Sequence, residues 1–139
     1  MHKCSVQLAN HLILLPNAEC GLKTNTKFAP YLHFVKLLNM ITRIVKMSFF
    51  PEHIEEFKKL FDEYKSEIAS SAGCLSLRLL QQKNTGIFFT YSEWIEESYL
   101  EQYRASDLFA VVWSKTKILF NDRPEAWTNE QLFKHEVVI

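Results

Sequence analysis

Apolar and polar residues alternate from Ile41 to Phe50, with Val45, Met47 and Phe49 on one side and Ile44, Lys46 and Ser48 on the other. That period of two, carried by β-branched and aromatic residues, predicts a half-buried strand. Pro51 closes it and suits the first position of a helix, where a missing N–H costs nothing. Beyond it the period lengthens. Ile54, Phe57, Leu60, Phe61, Tyr64 and Ile68 recur at steps of three and four against a charged face, and Ser70 to Gly73 stop the helix they predict. Cys74 to Gln82 and Ile87 to Trp94 alternate again on either side of Lys83-Asn84-Thr85-Gly86, which reads as an antiparallel hairpin. Glu96 to Ala105 is helical. Ser106 or Asp107 can cap a further helix whose Phe109, Val112, Trp113, Thr116 and Phe120 share a face. Pro124 ends it, Ala126-Trp127-Thr128 makes a short last strand, and Phe133 to Ile139 is an apolar tail suited to a sheet edge or a partner.

The predicted order is strand, helix, strand, strand, helix, strand, an α+β fold of the ferredoxin-like split βαβ type (β-α-β-β-α-β) with an antiparallel sheet. Helices would cover one face of that sheet. Apolar residues on both faces demand a second cover, and a homodimer packed through the sheet face supplies it economically.

The first 39 residues behave differently. Leu12 to Leu15 is an apolar block, Asn17 to Thr26 is polar and turn-like, and no period is sustained. Residues 1–39 are therefore expected to be a poorly ordered or over-called extension, with Met40 as a candidate start, and residues 40–139 the working domain. Charge divides at the same place. The chain balances 16 basic against 16 acidic residues, but residues 1–39 hold four Lys and one Glu, a net of +3, leaving −3 on the remainder. No basic face gathers for a nucleic-acid backbone. No apolar run reaches the roughly 18 residues of a membrane span, and no signal-peptide pattern precedes Cys20. Three scattered cysteines, Cys4, Cys20 and Cys74, fit reduced thiols and a cytoplasmic location.

Candidate chemistry is sparse. The five histidines, His2, His11, His33, His53 and His135, form no metal-ligand spacing, and the three glycines stand apart rather than in a phosphate loop. Cys74 has no histidine close in sequence to activate it.

Three stretches nevertheless carry a family likeness: M-I-T-R-I-V-K-M from Met40, A-G-C-L-S-L from Ala72, and F-F-T-Y-S-E-W-I-E-E-S-Y-L-E-Q-Y-R-A-S-D-L-F ending at Phe109. From about Met40 to Leu132 the chain resembles the antibiotic biosynthesis monooxygenase (ABM) domains of the dimeric α/β barrel superfamily. The resemblance implies an oxygenase that uses neither metal nor flavin and acts on a small electron-rich aromatic, such as a quinol, which itself supplies the electrons for oxygen. Such a site needs a dry apolar pocket and a polar group for the substrate hydroxyl. Trp94 matches a pocket-lining Trp of several relatives, and Tyr103 and Arg104 lie where relatives place a helix His, making them the candidate catalytic pair. Phe109 and Trp113, one helical turn apart, are candidates for substrate contact. Haem-degrading members of the superfamily use a first-strand Asn and a His, whose positions fall near Lys46 and on Trp113. Neither replacement suits haem, and Lys46 is retained only as a candidate substrate contact. The alternative is a non-catalytic dimeric module of the same fold that binds a small molecule.

Overall fold

The computed structural model describes residues 39–139 and, in the N-terminal part, the backbones of residues 5–8 and 11–14. The chain divides into two units, Met1–Pro30 and Tyr31–Ile139. In the first, β1 (Ser5–Leu8) pairs antiparallel with β2 (His11–Leu14). This hairpin was not foreseen in the pattern, because strands of four residues are too short to establish a period. Apart from Asn39, the other residues of the expected 1–39 extension lie outside the described residues.

The second unit follows the predicted order, with β3 (Ile41–Ser48), a single 3-10 turn (Pro51–His53), α1 (Ile54–Ala69), β4 (Cys74–Gln81) and β5 (Ile87–Trp94). Then come α2 (Glu97–Arg104), α3 (Asp107–Lys117) and β6 (Glu125–Glu130). The four strands of this unit form one antiparallel sheet in the order β4-β5-β3-β6. The fold is α+β and ferredoxin-like. Its second helical layer is broken into α2 and α3, and Ser106 caps the latter, its Oγ accepting from the Phe109 N–H at 3.1 Å. The last strand outruns Ala126-Trp127-Thr128 because β3 offers a full edge, and pairing carries it from Lys46↔Glu125 to Ile41↔Glu130. Phe120 lies beyond α3 rather than on its face, bridging to Phe49.

Register decides which side chains meet the helices. Ile41, Arg43, Val45 and Met47 stand opposite Trp94, Ser92, Thr90 and Phe88 on β5, and this row faces α1, α2 and α3. Two core clusters form on that side. Met47, Phe49, Phe57, Phe88 and Leu119 make one, and Ile41, Trp94 and Leu100 the other.

The opposite face carries Ile44, Lys46, Phe89, Tyr91, Leu80 and Trp127, and among the described residues no helix packs over it. The tail following β6 crosses one end of that face. There Glu93, only 2% exposed, accepts hydrogen bonds from Ser76 Oγ (2.6 Å), Gln131 Nε2 (3.1 Å) and Lys134 Nζ (3.1 Å). Burial pushes the Glu93 carboxyl up, but these donors outweigh it and hold the group below the usual carboxylate range. A carboxyl lowered by folding stabilises fully above its unfolded pKa, and the contribution fades as pH falls through the folded one. Urea unfolding should therefore show the wild type losing stability on going from pH 7 to below about pH 4 more steeply than Glu93→Gln. Equal losses would mean that the tail contacts do not hold the carboxylate.

Candidate functional site

Between the sheet and the three helices lies a cavity of about 360 Å³. That volume falls in the range of small-molecule sites, which run from about 300 to 1,000 Å³. Its floor is the helix-facing row of the sheet, Arg43, Val45, Met47, Thr90, Ser92 and Ala126. One wall is aromatic and continuous. The Trp94 ring stacks on Tyr103 at 5.4 Å, Tyr103 meets Phe109 edge-on at 5.4 Å, and Phe109 stacks on Trp113 at 5.8 Å. These geometries, offset stacks alternating with edge contacts, are the ones aromatic quadrupoles favour.

Sequence and fold explain why the four rings converge. Trp94 ends β5 with its side chain in the helix-facing row, and its Nε1–H donates to Ser92 Oγ at 2.9 Å, two residues back on the same face. Tyr103 sits three residues beyond Leu100, the buried anchor of α2, and so faces the sheet with it. Ser106 fixes the start of α3, and from there Phe109 and Trp113 fall one turn apart on the cavity side. Thr116 continues the stripe, its hydroxyl bonded back to the Val112 carbonyl at 2.7 Å.

The candidates named from sequence thus separate cleanly. Trp94, Tyr103, Arg104, Phe109 and Trp113 all line the one cavity. Lys46 does not. It stands opposite Phe89 and Glu125 on the other face of the sheet, because a period of two sends it away from Val45 and Met47. The β3 side chain that does enter the cavity with a polar head is Arg43, which the sequence reading passed over. The signal was present, since Arg43 keeps step with Val45, Met47 and Phe49.

Electrostatics divide the polar groups. Burial, with a smaller effect of Cys74, pushes the Tyr103 phenol up to about 12. At neutral pH it is a neutral donor and no base. Arg104 is partly exposed and donates to Glu101 at 3.0 Å, one turn back on α2. Arg43 donates through Nη1 to Thr128 Oγ1 at 2.8 Å, directly across the β3–β6 pair. Its guanidinium is shifted down by burial and then by the charge of Arg104. Cys74, near Tyr103, is a thiol whose pKa burial raises, which suits packing rather than nucleophilic attack. Among the described residues no three His, Cys, Asp or Glu side chains gather as metal ligands, and no helix is long and apolar enough to cross a membrane.

Residues 40–112, more than half of the chain, match the family model of the antibiotic biosynthesis monooxygenases. The chain belongs to this family. Solved structures agree on the fold. A conserved protein from Methanosarcina mazei Go1 superposes with a TM-score of 0.67 at 22% identity, over 70% of this chain and 98% of that one. For Rv0793 from Mycobacterium tuberculosis the TM-score is 0.65 at 14% identity, over 70% and 100%. A variant of SnoaB, a cofactor-independent oxygenase from Streptomyces nogalater, gives 0.63 at 13% identity, over 69% and 96%. No curated protein matches the chain. In this ABM chain the matched segment holds Trp94, Tyr103, Arg104 and Phe109 together with Arg43, and stops one residue before Trp113.

Proposed function

We propose that this ABM protein is a cofactor-independent monooxygenase that acts on a small planar aromatic hydroxyl compound, of quinol or anthrone type, in the cavity between sheet and helices. The observation that carries the reading is the aromatic wall of Trp94, Tyr103, Phe109 and Trp113 along a mostly apolar cavity of fitting size. Stacking would hold the ring system, and the neutral Tyr103 phenol would donate to a substrate oxygen. Arg104 would act at the rim.

The chemistry asks for no more than this from the protein. An anthrone-type substrate loses the proton of its ring hydroxyl or methylene, and the resulting electron-rich anion reduces oxygen. One oxygen atom replaces the two methylene hydrogens as a carbonyl, and the other leaves as water. The chain's contribution is to bind, to orient and to exclude water, so that the anion and oxygen meet in a dry site.

One observation favours the second reading, a module that binds an aromatic without converting it. Among the described residues the cavity lining holds no His, Asp or Glu to take the proton. Oxygen uptake with a panel of anthrones and quinols separates the two. Turnover that falls at least about tenfold in Tyr103→Phe, the loss of one hydrogen bond to a charged group, supports the enzyme. Tight binding of the panel with no uptake supports the module.

We further propose that two copies pack through the face of the sheet opposite the three described helices. Leu80 and Trp127 there are 51% and 44% exposed, and Leu132 and Phe133 of the adjoining tail are 91% and 84% exposed. A second copy would bury this surface and give the tail a partner. Light scattering of the full chain should report a dimer, shifted towards monomer in Trp127→Lys. A wild-type monomer at micromolar concentration would contradict it.

A further inference from the structure

The cavity has an unbalanced charge. Among the described residues that line it two are charged, Arg43 and Arg104, and none is acidic. Arg104 has a carboxylate partner in Glu101, out on α2. Arg43 has the neutral Thr128 hydroxyl as its one side-chain hydrogen-bond partner among the described residues, which leaves most of its five N–H donors for something else. Glu97 and Glu101 favour its charge from a distance, but burial and Arg104 oppose it more strongly.

Placement adds a second observation. Across the sheet the helix-facing row runs Thr128, Arg43, Ser92 and Leu77, so Arg43 crosses the cavity floor between two hydroxyl-bearing neighbours. Ser92 accepts the Trp94 indole N–H, which puts the indole beside the same strip of floor. A half-buried guanidinium on the cavity floor next to a flat aromatic wall is matched by a flat ligand with an anionic edge, because a charged acceptor bonds more strongly than a neutral one.

We propose that the cavity takes its aromatic ligand as an anion, with Arg43 binding the negatively charged oxygen and Thr128 positioning the guanidinium. The inference rests on the aromatic-ligand reading above and adds the charge of the ligand to it. The anionic oxygen can belong to a carboxylate or to a ring hydroxyl ionised in the site. Both present the same acceptor to Arg43, and a spectroscopic probe tells them apart.

The experiment uses the full chain and three probes, naphthoate, its uncharged isostere naphthamide, and naphthol, with affinity read from quenching of tryptophan fluorescence. Naphthoate should bind at least about tenfold more tightly than naphthamide, as expected for one charge-assisted hydrogen bond. In Arg43→Gln that ratio should fall to about one with naphthamide still bound, which shows the cavity intact. Thr128→Val should lower the ratio partway. With naphthol, the red-shifted absorption of the anion in the complex at neutral pH assigns the charge to an ionised hydroxyl, and its absence assigns it to a carboxylate. Equal binding of naphthoate and naphthamide by the wild type overturns the inference and leaves the aromatic cavity standing. So does a preference that survives Arg43→Gln and disappears in Arg104→Gln. Failure of all three probes to bind overturns both.

Discussion

Trp94→Ala should destabilise the protein by about 3 to 5 kcal/mol, the usual cost of removing a large aromatic from a core, and abolish binding of any aromatic ligand. The indole is 1% exposed, packs with Ile41 and Leu100, and forms one end of the cavity's aromatic wall. Removing it opens space beside Tyr103 and leaves Ser92, itself buried, without its donor. For a domain of this size such a loss lowers Tm by about 12 °C or more. Because so large a change confuses folding with binding, Trp94→Phe is the informative companion. It keeps most of the apolar volume and loses the N–H, so its stability cost should be about 1 to 3 kcal/mol. If the indole is a wall of the site, aromatic affinity drops in Trp94→Phe while melting stays cooperative. Unchanged affinity there would make Trp94 a core residue alone.

Gly73→Ala should cost about 2 to 5 kcal/mol, the sum of a left-handed backbone that side chains avoid and of overpacking. Gly73 has φ of 77° where α1 turns into β4, and a methyl placed on it would overlap the ring and Cβ of Tyr99 on α2. The same residue's carbonyl accepts the Ile95 N–H at 2.9 Å, tying the α1–β4 turn to the start of the α2 segment. Displacing Tyr99 would move the helix that carries Tyr103 and Arg104, so ligand affinity should fall with stability. Thermal unfolding of Gly73→Ala, Tyr99→Ala and the double variant separates the two causes. The double variant should be more stable than additivity allows, because the overlap with the ring is relieved and only that with Cβ persists. Strict additivity would mean that the ring overlap contributes nothing beyond backbone strain and the Cβ contact.

Much of the fold was legible because the strongest elements satisfy local and long-range demands together. Ile41 to Ser48 alternates with the period its two neighbours require, and α1 has one apolar stripe for one contact. Where the two demands part, legibility fails. β6 is polar, exposed along its whole length and held by β3 alone, so Glu125 and Asn129-Glu130 gave no sign of being strand. The buried state of Glu93 depends on donors 17, 38 and 41 residues away, which no local pattern encodes.

The site divided in the same way. Trp94, Tyr103, Arg104, Phe109 and Trp113 follow from helical spacing and family resemblance, since they lie on neighbouring elements that face one sheet. Lys46 came from a positional analogy with haem-degrading relatives, and the alternation of its own strand contradicts that placement. Had the alternation been followed, Arg43 would have been found in its stead. Its place in the cavity becomes visible only when the sheet forms and, among the described residues, no acid joins it in the lining.

Under the proposed function, an aromatic bound against Trp94, Tyr103, Phe109 and Trp113 reacts there with oxygen and without an added cofactor. Turnover of an anthrone under isotopically labelled oxygen, followed by mass spectrometry of the product, tests it most directly. One labelled atom in the new carbonyl and one in water, with the signal lost when Val112→Trp fills the cavity, is the predicted result. Absence of label from the product, or labelling unchanged in Val112→Trp, would contradict it.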